Sequence, residues 1–174
     1  MWLTAAPAAL AAVTVTFYGH EGLKVRGGFL YFPHAYVRMT GTLDATGEPI
    51  SQAVGFTARS PGPHLLFGSG PGLLAEPDAR YLDEGIGYAA VTVSDETYAR
   101  LQARIAEWRA DAAYNLRRRN CIHFVADLAA LAGLQAPPTD TLSPNGWMKD
   151  LQRLNPAAAL VAPAPQPPSA PAAG

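Results

Sequence analysis

Apolar residues alternate with a period of two in the first third of this chain, and helical spacing follows only after residue 94. That order points to an α+β domain in which a small antiparallel sheet packs against helices. Val13, Val15 and Phe17 alternate with Thr14, Thr16 and Tyr18 and read as a strand that ends at Gly19. Gly22, Gly27 and Gly28 then mark a mobile loop. Residues 34–40 resume the alternation, a turn-rich stretch covers 41–49, and 50–57 return as the second arm of an antiparallel hairpin. A one-residue slip would turn the apolar side chains to the wrong face. The register that avoids it pairs Val37 with Val54 and Ala35 with Phe56, and sets His34 across from Thr57.

Residues 59–87 are rich in Pro and Gly, with a short apolar strand candidate at 65–67. Residues 88–93 read as a strand. Ser94 can cap a following helix, with Asp95 and Glu96 well placed in its first turn. Tyr98, Leu101, Ile105 and Trp108 recur at helical spacing, with Arg100, Arg104 and Arg109 largely outward. A second main helix starts at Asn120, a good cap, and stops at Gly133, with Phe124, Leu128 and Leu131 inward. Ser143 and Pro144 open a shorter helix that runs to Leu154.

Three segments follow from composition. Residues 1–12 are apolar and alanine-rich and end in a small-residue pattern, either an export signal without the usual positive start or a loose end before the first strand. Export would place the protein in the periplasm or outside the cell; otherwise it is cytoplasmic. Residues 13–155 form the folded domain. Residues 156–174 are nearly all Ala and Pro and bury too little surface to fold. No stretch approaches the roughly 18 apolar residues of a membrane-spanning helix. The formal net charge of -1 gives no footprint for nucleic acid.

The chain has 1 cysteine, so a disulfide within it and a thiolate zinc cluster are both excluded. Cys121 is either a small buried side chain or a reactive thiol. It falls in the first turn of the second main helix, where free N–H groups and the dipole favour a thiolate, and Arg117, Arg118 and Arg119 precede it. Both features are expected to lower its pKa. The arginines are either a solvated turn or an attraction for an anionic substrate. His123 lies about 200° round the helix from Cys121 and is expected to be structural. His20 and His64 occupy loop-like positions with no evident partner, and the unclustered carboxylates suggest neither metal nor cofactor.

The run Asn120-Cys121-Ile122-His123-Phe124-Val125 resembles the Asn-Cys-Glu-His-Phe-Val signature of the lecithin:retinol acyltransferase family, matching at five of six positions. That family belongs to the circularly permuted papain-like superfamily, together with bacterial cell-wall endopeptidases. Its members carry a His at the start of a strand, before a Cys at a helix N-terminus. His34 stands in that order, 87 residues before Cys121, and His34-Ala35-Tyr36 loosely echoes the family's His-Trp-Ala. The resemblance covers roughly residues 29–135 and implies a permuted papain-like fold and a thiol mechanism. Cys121 would be the nucleophile, His34 its base and Thr57 the third polar member, with Ser51 and Gln52 as rivals.

Ile122 replaces the acidic residue of the box and the His-Trp pair is missing, so the family's retinoid and phospholipid substrates are not carried over. The expected activity is hydrolysis or acyl transfer at an amide or ester bond through a thioester. Peptide crosslinks of the cell wall are the nearest substrate class if the protein is exported. The rivals are a lipid acyltransferase or phospholipase, and a catalytically inactive papain-like domain that binds a protein or peptide.

Overall fold

The computed structural model describes residues 12–24, 30, 31 and 33–160. Strands β1 (Val13–His20), β2 (Leu23–Lys24), β3 (Leu30–Tyr31), β4 (His34–Thr42) and β5 (Pro49–Ala58) come first. A 3-10 turn (Pro63–Leu66), β6 (Ser69–Ala75), α1 (Ala79–Asp83), β7 (Ile86–Val93) and α2 (Asp95–Ala110) follow, then β8 (Ala113–Asn115), α3 (Cys121–Leu131) and α4 (Pro144–Leu154). The molecule is α+β. A 6-stranded antiparallel sheet runs in the order β7-β1-β4-β5-β6-β8, and β2 pairs with β3 in a separate ribbon.

Because successive side chains of a strand point to opposite faces, each strand divides its residues between two environments. Val13, Val15 and Phe17 of β1 and Ala35, Val37 and Met39 of β4 are fully buried and form one core with α2, α3 and α4. The β4–β5 hairpin has the expected register, with Val37 opposite Val54 and Thr42 opposite Pro49. The other side chains of β1 and β4 meet on the opposite face, where Tyr18 stacks on Tyr36 with ring centroids 5.1 Å apart.

The helices begin where their caps predict. Ser94 accepts a hydrogen bond from the Thr97 N–H, and Ser143 accepts one from the Gly146 N–H with Pro144 in the first turn. Helix α3 is apolar almost all round and lies against β4, β5 and α2 as the central buried helix. Its Phe124 joins Phe56 and Trp108 in an aromatic cluster, with both phenylalanines edge-on to the Trp108 indole and tilted to each other. The Trp108 Nε1–H donates to Asp127 on α3 at 2.9 Å, which ties α2 to α3. Past α3, Gly133 takes φ 85°, the left-handed conformation that closes a helix and that glycine adopts without strain.

Two expectations need correction, and one stretch left open by the sequence is filled. The apolar run at 65–67 is not a strand: Pro63–Leu66 forms a 3-10 turn that buries Leu65 and leaves Phe67 89% exposed. Short apolar runs carry too little periodicity to separate the two outcomes. The Gly- and Pro-rich segment behind it contains β6, paired with β5 on one side and β8 on the other. Here glycine marks close approach rather than a loop, since a Cβ at Gly72 would lie 2.7 Å from both the Ala112 carbonyl oxygen and the Phe56 ring. The folded chain also extends past 155. The Ala90 N–H donates to the Ala158 carbonyl and the Leu160 N–H to the Tyr88 carbonyl, so residues 158–160 cover the outer edge of β7. An open strand edge recruits even an Ala-rich segment through its backbone.

The proposed export segment lies outside the described residues, apart from Ala12, as do Gly27 and Gly28 of the first loop. No helix among the described residues is long and apolar enough to cross a membrane.

Phe124→Ala removes the aromatic ring at the centre of the core and should cost about 3–5 kcal/mol. Arg117→Ala on the exposed turn before α3 should stay within about 0.5 kcal/mol of wild type. Urea denaturation of the two variants checks both figures.

Candidate functional site

The sequence box is built around Asn120. Its side-chain Oδ1 accepts from the Ile122 N–H at 2.8 Å and the His123 N–H at 3.2 Å, which caps α3. The His123 ring Nδ1 lies 2.9 Å from the same oxygen. A carbonyl oxygen only accepts, so that nitrogen carries the proton. The Asn120 Nδ2 donates to the Leu116 carbonyl at 2.6 Å. His123 is thus structural, as expected: it steadies the cap that sets the direction of the intervening Cys121.

Upstream, Asn115 accepts from the N–H groups of Arg117 and Arg118, and its backbone pairs with Arg119 in both directions at 2.9 Å. The three arginines therefore form a tight turn. Arg119 lies over the Trp108 ring, 3.9 Å from its centroid, and donates to the Asp111 carbonyl. Arg117 and Arg118 are exposed.

This geometry reverses the expectation for the thiol. Cys121 is buried, and burial pushes its pKa up to about 11; nearby backbone groups, that of Ala35 foremost, only partly oppose the shift. Loss of water costs the thiolate more than the helix terminus returns, and the arginine charges are directed elsewhere.

His34 opens β4, and the next residue, Ala35, supplies the backbone group that most opposes the shift. Imidazole and thiol line the same cavity. The ring rests on β5 at a position without a side chain, since a Cβ at Gly55 would lie 2.6 Å from the His34 Nε2. Burial, followed by the neighbouring His20, lowers the His34 pKa to about 4. At neutral pH the cavity therefore holds an uncharged thiol and an uncharged imidazole. Among the described residues no hydrogen bond joins the two. Such contacts are often long before a substrate arrives.

His20, set aside on sequence grounds, belongs to this cluster. It ends β1 directly across from His34 and is only 2% exposed. Its Nδ1 accepts the Gly22 N–H at 2.9 Å, so in the neutral ring the proton sits on Nε2, which faces the Glu84 carboxylate at 3.5 Å without a formed hydrogen bond. Its ring stacks on Tyr81 with centroids 3.9 Å apart and planes 11° from parallel. Tyr81 in turn meets His34 edge-on at 6.5 Å. Asp78, the cap of α1, fixes Tyr81 by accepting its N–H at 2.8 Å. A signal for this pairing exists in the sequence: Tyr18-Gly19-His20 and His34-Ala35-Tyr36 mirror each other, and antiparallel pairing brings like onto like.

Thr57 lines the cavity, but it pairs with Leu73 of β6 and makes no hydrogen bond to His34. The β4–β5 ladder ends at Val37 and Val54, before the expected His34–Thr57 pair. Ser51 lies opposite Thr40, and Gln52 accepts from the Gln102 side chain at 2.7 Å, both at the far end of the strand. His64 is exposed on the 3-10 turn. Among the described residues no three His, Cys, Asp or Glu side chains group as metal ligands.

The cavity measures about 760 Å³. His34, Thr57, Asp78, Tyr81, Asn120 and Cys121 are its polar lining residues, and Leu65, Leu66, Leu116, Ile122 and Leu142 are among its apolar ones.

Gly55→Ala should fold, yet force the His34 ring off its seat. Acylation of Cys121 by p-nitrophenyl acetate at pH 7 should then slow to near the rate of His34→Ala. A rate equal to wild type would mean that the ring's position has no bearing on the thiol.

No family model, curated protein or solved structure matches the chain.

Proposed function

We propose that this protein is a cysteine-dependent hydrolase or acyl-transfer enzyme acting on an ester or amide bond, with Cys121 as nucleophile and His34 as general base. The observation that carries this reading is the placement of the thiol and the imidazole in one cavity. The likeness of the Asn120-to-Val125 box to the permuted papain-like superfamily, with His before Cys in the chain, supports it.

The chemistry runs from a neutral pair. As a substrate carbonyl approaches, His34 takes the thiol proton, the sulfur–carbon bond forms, and the carbonyl electrons move onto oxygen. Collapse breaks the bond to the alcohol or amine, which leaves with the proton from His34. Water or another acceptor then attacks the thioester with His34 again as base, and the thiol is regenerated. The N–H of Ile122 is engaged by Asn120, which leaves the Cys121 and Ala35 N–H groups to stabilise the oxyanion.

Burial is the main reason that His34 stays unprotonated, and His20, facing it across the strands, adds to the effect. In the same cluster, burial pushes the Tyr36 hydroxyl up to about 12, so it too stays neutral.

The high thiol pKa supports a second reading, a papain-like domain that binds without catalysis. Acylation of Cys121 by p-nitrophenyl acetate as a function of pH separates the two. A base with its pKa lowered to about 4 is competent above that pH, so the enzyme should react at a level rate from pH 5 to 9 and lose activity as pH falls toward 4. In His34→Ala the rate at pH 7 should drop roughly 100- to 10,000-fold. It should then climb about tenfold per pH unit as the thiolate forms. Identical profiles for the two proteins, both climbing toward pH 11, would leave the binding domain as the better reading.

A further inference from the structure

We infer that the buried His20 is a pH-sensitive switch in the wall of the cavity: unprotonated it holds Gly22, and protonated it releases Gly22 and takes Glu84 instead. The ring stands between two segments that border the cavity. On one side its Nδ1 accepts the Gly22 N–H at 2.9 Å, and Gly22, with φ 85°, lines the cavity. On the other its Nε2 faces the carboxylate of Glu84, which ends the short helix α1 whose Tyr81 also lines the cavity. The exchange depends on no reaction at Cys121.

A neutral imidazole has one N–H and one bare nitrogen, whereas the imidazolium has an N–H on both. The bond from Gly22 needs the bare nitrogen, so it exists only while His20 is unprotonated. A proton added at Nδ1 sets two N–H groups against each other and breaks it. The same proton makes the Nε2–H a charged donor toward Glu84. At 3.5 Å that hydrogen bond is not formed, and the buried Nε2 has no other partner among the described residues. Charge-assisted N–H···O bonds run about 2.7–2.9 Å, so the carboxylate has less than about 1 Å to travel. It is free to do so: the Glu84 side chain is 44% exposed, and Arg80 holds its other oxygen, Oε1, at 3.1 Å.

The groups around the ring favour this exchange over any other. His34 and Tyr36 approach from β4, Tyr81 and Glu84 from α1, and Tyr18 and Glu21 lie beside His20 in its own segment. Burial lowers His34 to about 4 and raises the Tyr36 and Tyr81 hydroxyls well above neutral. These three therefore keep their charge between about pH 5 and 8, the range in which histidine ordinarily titrates. A buried imidazolium needs a counter-charge, and Glu84 is the carboxylate within 4 Å of this one among the described residues. The Gly55 seat of His34 and the α3 cap take no part, so acylation by an ester as small as p-nitrophenyl acetate keeps its level profile.

NMR on the full chain, with ¹⁵N in the histidine rings and glycine amides, tests the switch. At pH 8 a coupling through the hydrogen bond should connect the Gly22 amide nitrogen to the His20 Nδ1, and it should vanish as the ring protonates toward pH 5. In Glu84→Gln, a change on a half-exposed side chain, the loss should move to lower pH. In His20→Asn, whose side-chain oxygen can accept the same N–H without titrating, the Gly22 signal should hold still from pH 8 to 5. A Gly22 signal that ignores protonation of His20, a step that survives in His20→Asn, or a ring still unprotonated at pH 5 would each overturn the inference. So would a Glu84→Gln profile that superimposes on wild type, since Glu84 would then have no part in the exchange.

Discussion

The side chain of Asn120 organises the rest of this site. By accepting two backbone N–H groups and the His123 ring while donating to Leu116, it fixes the start of α3 from both sides. That start is pressed against the beginning of β4, so the first side chain of the helix meets the Ala35 peptide. The same close packing excludes water from the thiol. Cap, burial and the position of Cys121 are therefore one constraint seen three ways: loosening the cap would admit water to the sulfur and release its direction together.

Burial then decides the charges. A helix terminus and basic neighbours are reasons for a low thiol pKa only where water still reaches the sulfur, and here desolvation outweighs them. The imidazole responds in the opposite sense because its charged form is the protonated one, and His20 across the sheet adds to the effect. Both shifts favour the neutral state. In the proposed mechanism the proton therefore moves only when a carbonyl is in place to receive the sulfur, and a resting thiolate open to oxidation or stray alkylation is avoided.

Much of the fold was legible because its elements follow simple periods. The β4–β5 register followed from keeping Val37 and Val54 on one face, and the starts of α2, α3 and α4 followed from Ser94, Asn120 and Ser143. The pairing of Cys121 with His34 was suggested by the box and by chain order, and the two residues do share a cavity. What stayed hidden depends on contacts between distant segments. β6 has no readable pattern within its Pro- and Gly-rich stretch until Gly72 is seen packed against Phe56, and Thr57 looks like the partner of His34 until the ladder is seen to stop at Val37. His20 looks isolated until β1 lies beside β4 and Tyr81 closes over it. The pKa of Cys121 was misjudged for the same reason, since local sequence lists the nearby charges and says little about how much water remains.

The claim on which this account most depends is the uncharged resting pair. The chain has 1 cysteine. Labelling with cysteine enriched in ¹³C at Cβ therefore gives a single NMR resonance whose shift reports thiol ionisation, to be followed from pH 4 to 11.5 in wild type and in His34→Ala. The account predicts a signal of unionised thiol through neutral pH, with ionisation centred near 11 in wild type. A thiolate already formed below pH 7, and lost from that range in His34→Ala, would contradict it and put a standing thiolate–imidazolium pair in its place.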